Sequence, residues 1–193
     1  RVDNPRVEWG LRLEDAIAAG AAEREGWQVL PGLYASRDGL GATLDRRIAE
    51  PGPADEGCEG PGVLELKNAD WLVHRRNWGD EPPLHILLQL QAQLAATGYG
   101  WGAIAVLVGG NDLRLYRYRA RPRLQAEIMT RVAAFWASVR VGKAPRADGS
   151  DATFRALMAE APAMEEEPAD LDNDNEAPVL AAEYLRLTAE IRE

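Results

Sequence analysis

Apolar residues recur at helical spacing from about Trp9 to Glu25, where Leu13, Ile17 and Ala21 form a stripe that Gly26 closes. Two short extended runs follow, Trp27 to Leu30 and Leu33 to Ser36, separated by Pro31-Gly32. A further strand is predicted from about Ala42 to Ile48, with Thr43 and Asp45 on one face, and another at Val63 to Lys67. Strand side chains alternate between faces, so Glu65 and Lys67 share one face while Leu64 and Leu66 take the other. The Pro/Gly/acidic stretch between these two strands reads as a long hairpin connection, and the stretch from Asn68 to Pro83 reads as irregular. Pro82-Pro83 then opens a helix to about Thr97. Leu84, Leu87, Leu88, Gln91 and Leu94 are predicted to form its buried stripe, with His85, Gln89 and Gln93 as a polar stripe beside it.

The run Trp101 to Val108 is almost continuously apolar, as expected of a central strand covered on both faces. Gly109-Gly110-Asn111-Asp112 predicts a hairpin turn. The return strand carries Arg114, Arg117 and Arg119 on both faces, which marks an edge. A long helix is predicted from Pro122 to about Val139, with Leu124, Ile128, Val132, Phe135 and Val139 along one side. Beyond it come a linker, a short helix at Ala152 to Glu160, an acidic run read as mobile and a last helix from Val179. Helices interleaved with strands point to an α/β domain, placed at 1–140, followed by a linker, acidic segment and helix at 141–193.

Composition narrows the class. With 193 residues, 46% apolar and 27% charged, the chain suits one packed domain with appendages or two small ones, and not wholesale disorder. It opens on Arg1 rather than Met, so further residues upstream are expected. Neither a membrane-spanning apolar window nor a leader pattern is visible. One cysteine, Cys58, excludes an internal disulfide and favours a reducing, cytoplasmic setting. With two histidines and that one cysteine, a structural zinc site would have to be carboxylate-rich.

The net charge of −9 argues against a nucleic-acid partner until its distribution is considered. Eight acidic residues and no basic one lie between Glu160 and Glu176, and setting them aside brings the balance from −9 to −1. Local basic pairs remain at Arg46-Arg47 and Arg75-Arg76, so charge neither requires nor forbids a phosphate partner. Trp71 and Trp78, set among those later arginines, suit stacking on bases. Tryptophans are so often buried that capping the core from a loop is the stronger expectation.

The chemistry-bearing feature is an acidic residue, Asp45, on one strand and Glu65-x-Lys67 on a neighbouring one. Hard carboxylate oxygens beside an ammonium form the donor set of a Mg²⁺ site. The ordered segments Trp9-Gly10-Leu11-Arg12-Leu13-Glu14, Ala42-Thr43-Leu44-Asp45, Leu64-Glu65-Leu66-Lys67 and Gln89 to Gly98 resemble the PD-(D/E)XK nuclease superfamily. They resemble most the branch of lambda-type phage exonucleases and YqaJ-like viral recombinase nucleases. Phe135-Trp136 and the linker at 145–150 are also family-like, so the resemblance spans about residues 9 to 158.

The resemblance implies a restriction-endonuclease-like core, α/β (α+β), with a central mixed sheet flanked by helices and a helical C-terminal extension. It implies that Asp45, Glu65 and the Leu66 carbonyl hold Mg²⁺, with Mn²⁺ as a substitute, and that Glu14 helps to hold a metal or its water. Lys67 is expected to position or activate the attacking water, and Gln89 to orient Lys67 or the nucleophile. Arg46, Arg47, Arg75 and Arg76 are the DNA-binding candidates. Leu44 and Arg46 stand where the family usually has proline and glycine, and the family's upstream arginine and serine have no counterpart. The implied activity is a phage or prophage 5′–3′ double-strand exonuclease acting on duplex DNA and feeding a single-strand-annealing partner, as a homo-oligomeric ring and with no membrane role. The alternatives are an endonuclease on the same fold and a non-catalytic DNA-binding or assembly module.

Overall fold

A computed structural model describes residues 4–144, 146–160 and 176–192. The chain divides into two compact units, Arg1–Ala144 and Pro145–Glu193. In the first, α1 (Pro5–Glu25) starts four residues before the predicted boundary. The Asn4 side chain accepts the Arg6 amide there, and Pro5 occupies the first turn, where a missing N–H costs nothing. Gly26, at φ 72°, closes the helix in the left-handed conformation.

Among the described residues seven strands follow: β1 (Val29–Pro31), β2 (Tyr34–Arg37), β3 (Leu40–Thr43), β4 (Arg46–Ile48), β5 (Gly62–Ala69), β6 (Trp101–Val108) and β7 (Asp112–Arg119). Five of them form one sheet in the order β1-β4-β5-β6-β7. It is antiparallel except for the β5–β6 pair, while β2 and β3 make a separate antiparallel ribbon. The single strand expected at 42–48 is therefore two, broken at Leu44-Asp45. Gly32 lies so close to that break that a Cβ on it would sit 1.9 Å from the Leu44 carbonyl oxygen, and Leu44 N–H donates to the Leu33 carbonyl. Packing against the 32–33 segment, not the apolar period, sets the bend.

Parallel β5 and β6 need a crossover, which α2 (Trp71–Asn77) and α3 (Leu84–Thr97) supply. The expectation of an irregular 68–83 is corrected here. Asp70 caps α2 by accepting the Leu72 amide at 2.8 Å, and the helix is too short for its period to register in the sequence. Trp78 is buried and Trp71 exposed, so one of the two tryptophans caps the core and the other does not.

On β5, Leu64 and Leu66 pack with Ile17, Ala18 and Ala21 of α1, whereas Val63 packs with Leu90 and Leu94 of α3. Alternation along one strand therefore places α1 and α3 on opposite faces of the sheet. Glu65, sharing the Val63 face, is directed to α3. The buried residues of α3 are Ile86, Leu90, Gln91, Gln93, Leu94, Ala95 and Ala96, and Leu84 and Leu88 are exposed. The helix is thus rotated from the predicted stripe, and Gln93 belongs to its interior face.

β6 is buried along nearly its whole length, and β7 is an edge, as its two-sided arginines suggest. Gly109 and Gly110, at φ 59° and 83°, make the tight turn between them. Helix α4 (Pro122–Arg140) closes the first unit, its Trp136 donating to the Gly39 carbonyl at 2.9 Å. The second unit holds α5 (Asp151–Glu160) and α6 (Ala177–Arg192). Most of the acidic run read as mobile falls outside the described residues. No helix among the described residues is long and apolar enough to cross a membrane.

Candidate active site

The β4–β5 ladder stops at the pair Arg46–Leu64, so the next inward amide of β5, that of Leu66, has no strand partner on that side. The Asp45 carboxylate takes it: Oδ2 accepts the Leu66 N–H at 2.8 Å. The bend that ends the ladder is thus also what swings an acidic side chain against the centre of β5.

Glu65 has no exposed surface at all. A carboxylate with no water must find donors within the protein, and three reach it. Lys67 Nζ, two residues on and on the same strand face, pairs with Oε1. Gln89 Nε2 donates to the same oxygen at 2.6 Å, and Gln93 Nε2 donates to Oε2 at 2.6 Å. Burial pushes the Glu65 carboxyl above the usual glutamate range, and the charge of Asp45 raises it further against the pull of Lys67 and Gln93. Glu14, in the third turn of α1 and beside its apolar stripe, joins the group. Its carboxyl is also raised, by burial first and then by Asp45, with Arg46 opposing.

Of the expected site residues, Glu14, Asp45, Glu65, Lys67 and Gln89 are therefore brought together. The arginines are placed differently from one another. Arg46 lies against the acidic group, but its guanidinium is held internally: it donates to the Asp45 carbonyl at 2.6 Å and to Asp15 at 2.5 Å, and lies 3.6 Å from Glu14. Arg47, on the other face of β4, donates to the Pro31 carbonyl. Arg75 and Arg76 are exposed on α2, where the Arg75 guanidinium lies 5.4 Å from the centre of the Trp71 ring. Beside Lys67 opens a cleft of about 620 Å³, walled by Arg6, Trp9, Leu13, Asn68, Val73 and Trp78. It lies beyond the carboxyl ends of the parallel strands β5 and β6, the usual place for a substrate in such a sheet.

Gln93 is a site residue the sequence pattern did not single out: it falls on the polar stripe beside the expected buried one, whereas the side chain is buried. Its spacing of four from Gln89, over a strand that buries a glutamate, was the available signal.

Among the described residues no three His, Cys, Asp or Glu side chains stand ready as a complete cation cage. The donor set still fits Mg²⁺, which is usually held by one or two carboxylates together with waters and substrate phosphates. Asp45 raises the carboxyls of both Glu14 and Glu65, a crowding of negative charge that a divalent cation relieves.

The YqaJ-like viral recombinase domain model matches residues 1–100, just over half the chain and the part that contributes every residue of this acidic group. The chain belongs to the YqaJ-like viral recombinase family. This YqaJ-like domain is a member of the PD-(D/E)XK superfamily and has its fold, a mixed sheet between helices. It is similar to the structure of LHK-Exo in complex with dAMP, at 20% identity and a TM-score of 0.59, over 74% of this chain and 72% of that one. It is likewise similar to the alkaline exonuclease LHK-Exo from Laribacter hongkongensis, at 19% identity and 0.58, over 82% and 77%. At such identities the likeness is one of fold. No curated protein matches the chain.

Proposed function

We propose that this YqaJ-like protein is a Mg²⁺-dependent deoxyribonuclease, a phage or prophage 5′–3′ exonuclease that resects duplex DNA ends for single-strand-annealing recombination. The observation that carries the reading is the fully buried Glu65, held by Lys67, Gln89 and Gln93 within reach of the charge of Asp45. A cluster of this cost is hard to explain as a device for stability, since apolar residues of similar volume would serve as well or better. Fold likeness to an alkaline exonuclease supports the same class.

Asp45, Glu65 and the Leu66 carbonyl are the residues that would hold Mg²⁺ or Mn²⁺, with Glu14 helping to hold the metal or its water. Bound there, the cation supplies a more acidic water and offsets negative charge on the phosphate. Lys67, which lines the cleft, positions the attacking water and adds positive charge beside the scissile group. Gln89 orients Lys67 through the Glu65 oxygen that both contact. Arg75 and Arg76 are free to meet the DNA backbone, whereas Arg46 must first leave its carboxylates. Residues 1–140 make up the nuclease core, and 141–193 the extension. A homo-oligomeric ring, an annealing-protein partner and action in the cytoplasm complete the proposal.

Digestion of linear and closed circular duplex, with Mg²⁺, with Ca²⁺ and with chelator, tests it. Loss of linear DNA alone, dependent on Mg²⁺ and abolished by Glu65→Ala and Lys67→Ala, is expected. Cleavage of the closed circle would reassign the protein as an endonuclease. DNA binding without cleavage in any metal would make it a non-catalytic module.

A further inference from the structure

Two glutamines of α3 are buried, and they differ in how their amides are satisfied. Gln91, 3% exposed, donates to the Arg119 carbonyl at 2.9 Å, and its oxygen accepts the Arg121 N–H at 2.9 Å and Gln125 Nε2 at 3.4 Å. It ties α3 to the end of β7 and is fully partnered. Gln93, 2% exposed, spends its Nε2 on two acceptors, Glu65 Oε2 at 2.6 Å and the Thr43 carbonyl at 3.2 Å. Its Oε1 is buried with no partner among the described residues.

Both neighbours of the Gln93 amide are oxygens, so the amide cannot be turned round without losing both bonds. A buried acceptor with no donor costs stability, and methionine would fill the same space without that cost. The location of the two bonds gives the residue its use. Downstream of Asp45, the β4–β5 ladder fixes the chain against β5. Upstream, Thr43 belongs to the β2–β3 ribbon, which shares no ladder with the five-stranded sheet. The Gln93 amide bridges that gap.

We propose that Gln93 is a positioning residue for the divalent cation. It holds Glu65 directly, and Asp45 through the carbonyl two residues before it, at the separation the cation requires. This rests on the metal-dependent reading of the site and deepens it.

The experiment uses the whole chain with Gln93→Met, Gln93→Asn and, as a control, Gln91→Met. Ca²⁺ binding is followed by titration calorimetry, the Mg²⁺ concentration for half-maximal cleavage of linear duplex is measured, and Tm is read in chelator. Gln93→Met is expected to weaken Ca²⁺ binding and raise the half-saturating Mg²⁺ by roughly 10–100-fold, as loss of a hydrogen bond to a metal-binding carboxylate generally does. Its Tm in chelator should fall by a few degrees, because Glu65 Oε2 loses its donor, and cleavage should largely return at saturating Mg²⁺. Gln93→Asn, whose shorter amide cannot span both acceptors, should weaken the metal in the same direction and serves if the methionine variant does not fold. Gln91→Met should lower Tm and leave metal affinity unchanged. Wild-type Ca²⁺ affinity in the Gln93 variants overturns the proposal, as does an equal loss in Gln91→Met. A wild-type protein that binds no cation overturns the metal-dependent reading itself, and the clamp with it.

Discussion

Lys67→Met separates the two jobs assigned to one ammonium. Glu65 is wholly buried, while the Lys67 side chain is 29% exposed. Removing one partner of a buried ion pair costs about 3–5 kcal/mol when the other is left without compensation. Here the amine is partly solvated, and Gln89 and Gln93 still donate to the carboxylate, so about 2 kcal/mol is expected. For a chain of this size that is roughly 4–8 °C in Tm, read by thermal denaturation in chelator. The cation response should run the other way. With the neighbouring positive charge gone, a divalent ion is repelled less, so the variant should bind Ca²⁺ more tightly than wild type and recover part or all of the lost Tm on Ca²⁺ addition. Cleavage should meanwhile fall by roughly 10²–10⁴-fold, the usual worth of a positioned proton-transfer group. An unchanged Tm in chelator, or weaker Ca²⁺ binding in the variant, would refute the placement of Lys67 between buried carboxylate and cation.

Three further outcomes follow from the geometry. Because burial and Asp45 raise the Glu14 carboxyl, its ionisation disfavours the folded state and wild type loses stability as pH rises through that titration. Glu14→Gln should therefore be more stable than wild type in chelator at about pH 8, with the gap closing near pH 4, where an unfolded glutamate is also protonated; denaturant midpoints across that range check the sign. Gly32→Ala places a Cβ 1.9 Å from the Leu44 carbonyl oxygen and 2.6 Å from that of Asp45, and should cost about 1–3 kcal/mol together with most of the cleavage. Wild-type activity in that variant would mean the Leu44-Asp45 bend is not pinned there. Asp55→Asn sets an amide among three donors, Trp27 Nε1 at 2.5 Å, Gly52 N at 2.7 Å and Arg117 Nε at 2.5 Å, and should cost about 3 kcal/mol by urea melt while leaving Ca²⁺ affinity untouched.

What could be read from the sequence was what local rules govern. The helix ends at Gly26 and Gly98, the apolar run of β6, and the shared face of Glu65 and Lys67 each follow from a residue and its near neighbours. The phase of α3 did not, because Gln89, Gln91 and Gln93 put amides on more than one side of residues 84–96 and the period carries little information. Only the strand lying over the helix decides that Gln93 turns inward. The bend at Asp45 was hidden for a similar reason: its cause is Gly32, distant from the strand pattern it interrupts. Asp55, inside a Pro/Gly/acidic hairpin connection, carries no local sign of the burial that Arg117, 62 positions away, accompanies.

The anchor for Asp45 is the main-chain amide of Leu66, and every amino acid but proline carries that amide. Alanine scanning would pass over position 66, recording only the packing of its side chain against α1. Natural drift there would be equally silent with respect to the carboxylate. Proline, or an ester in place of that one peptide bond, is the change that would expose how much of the site hangs from a group no codon specifies.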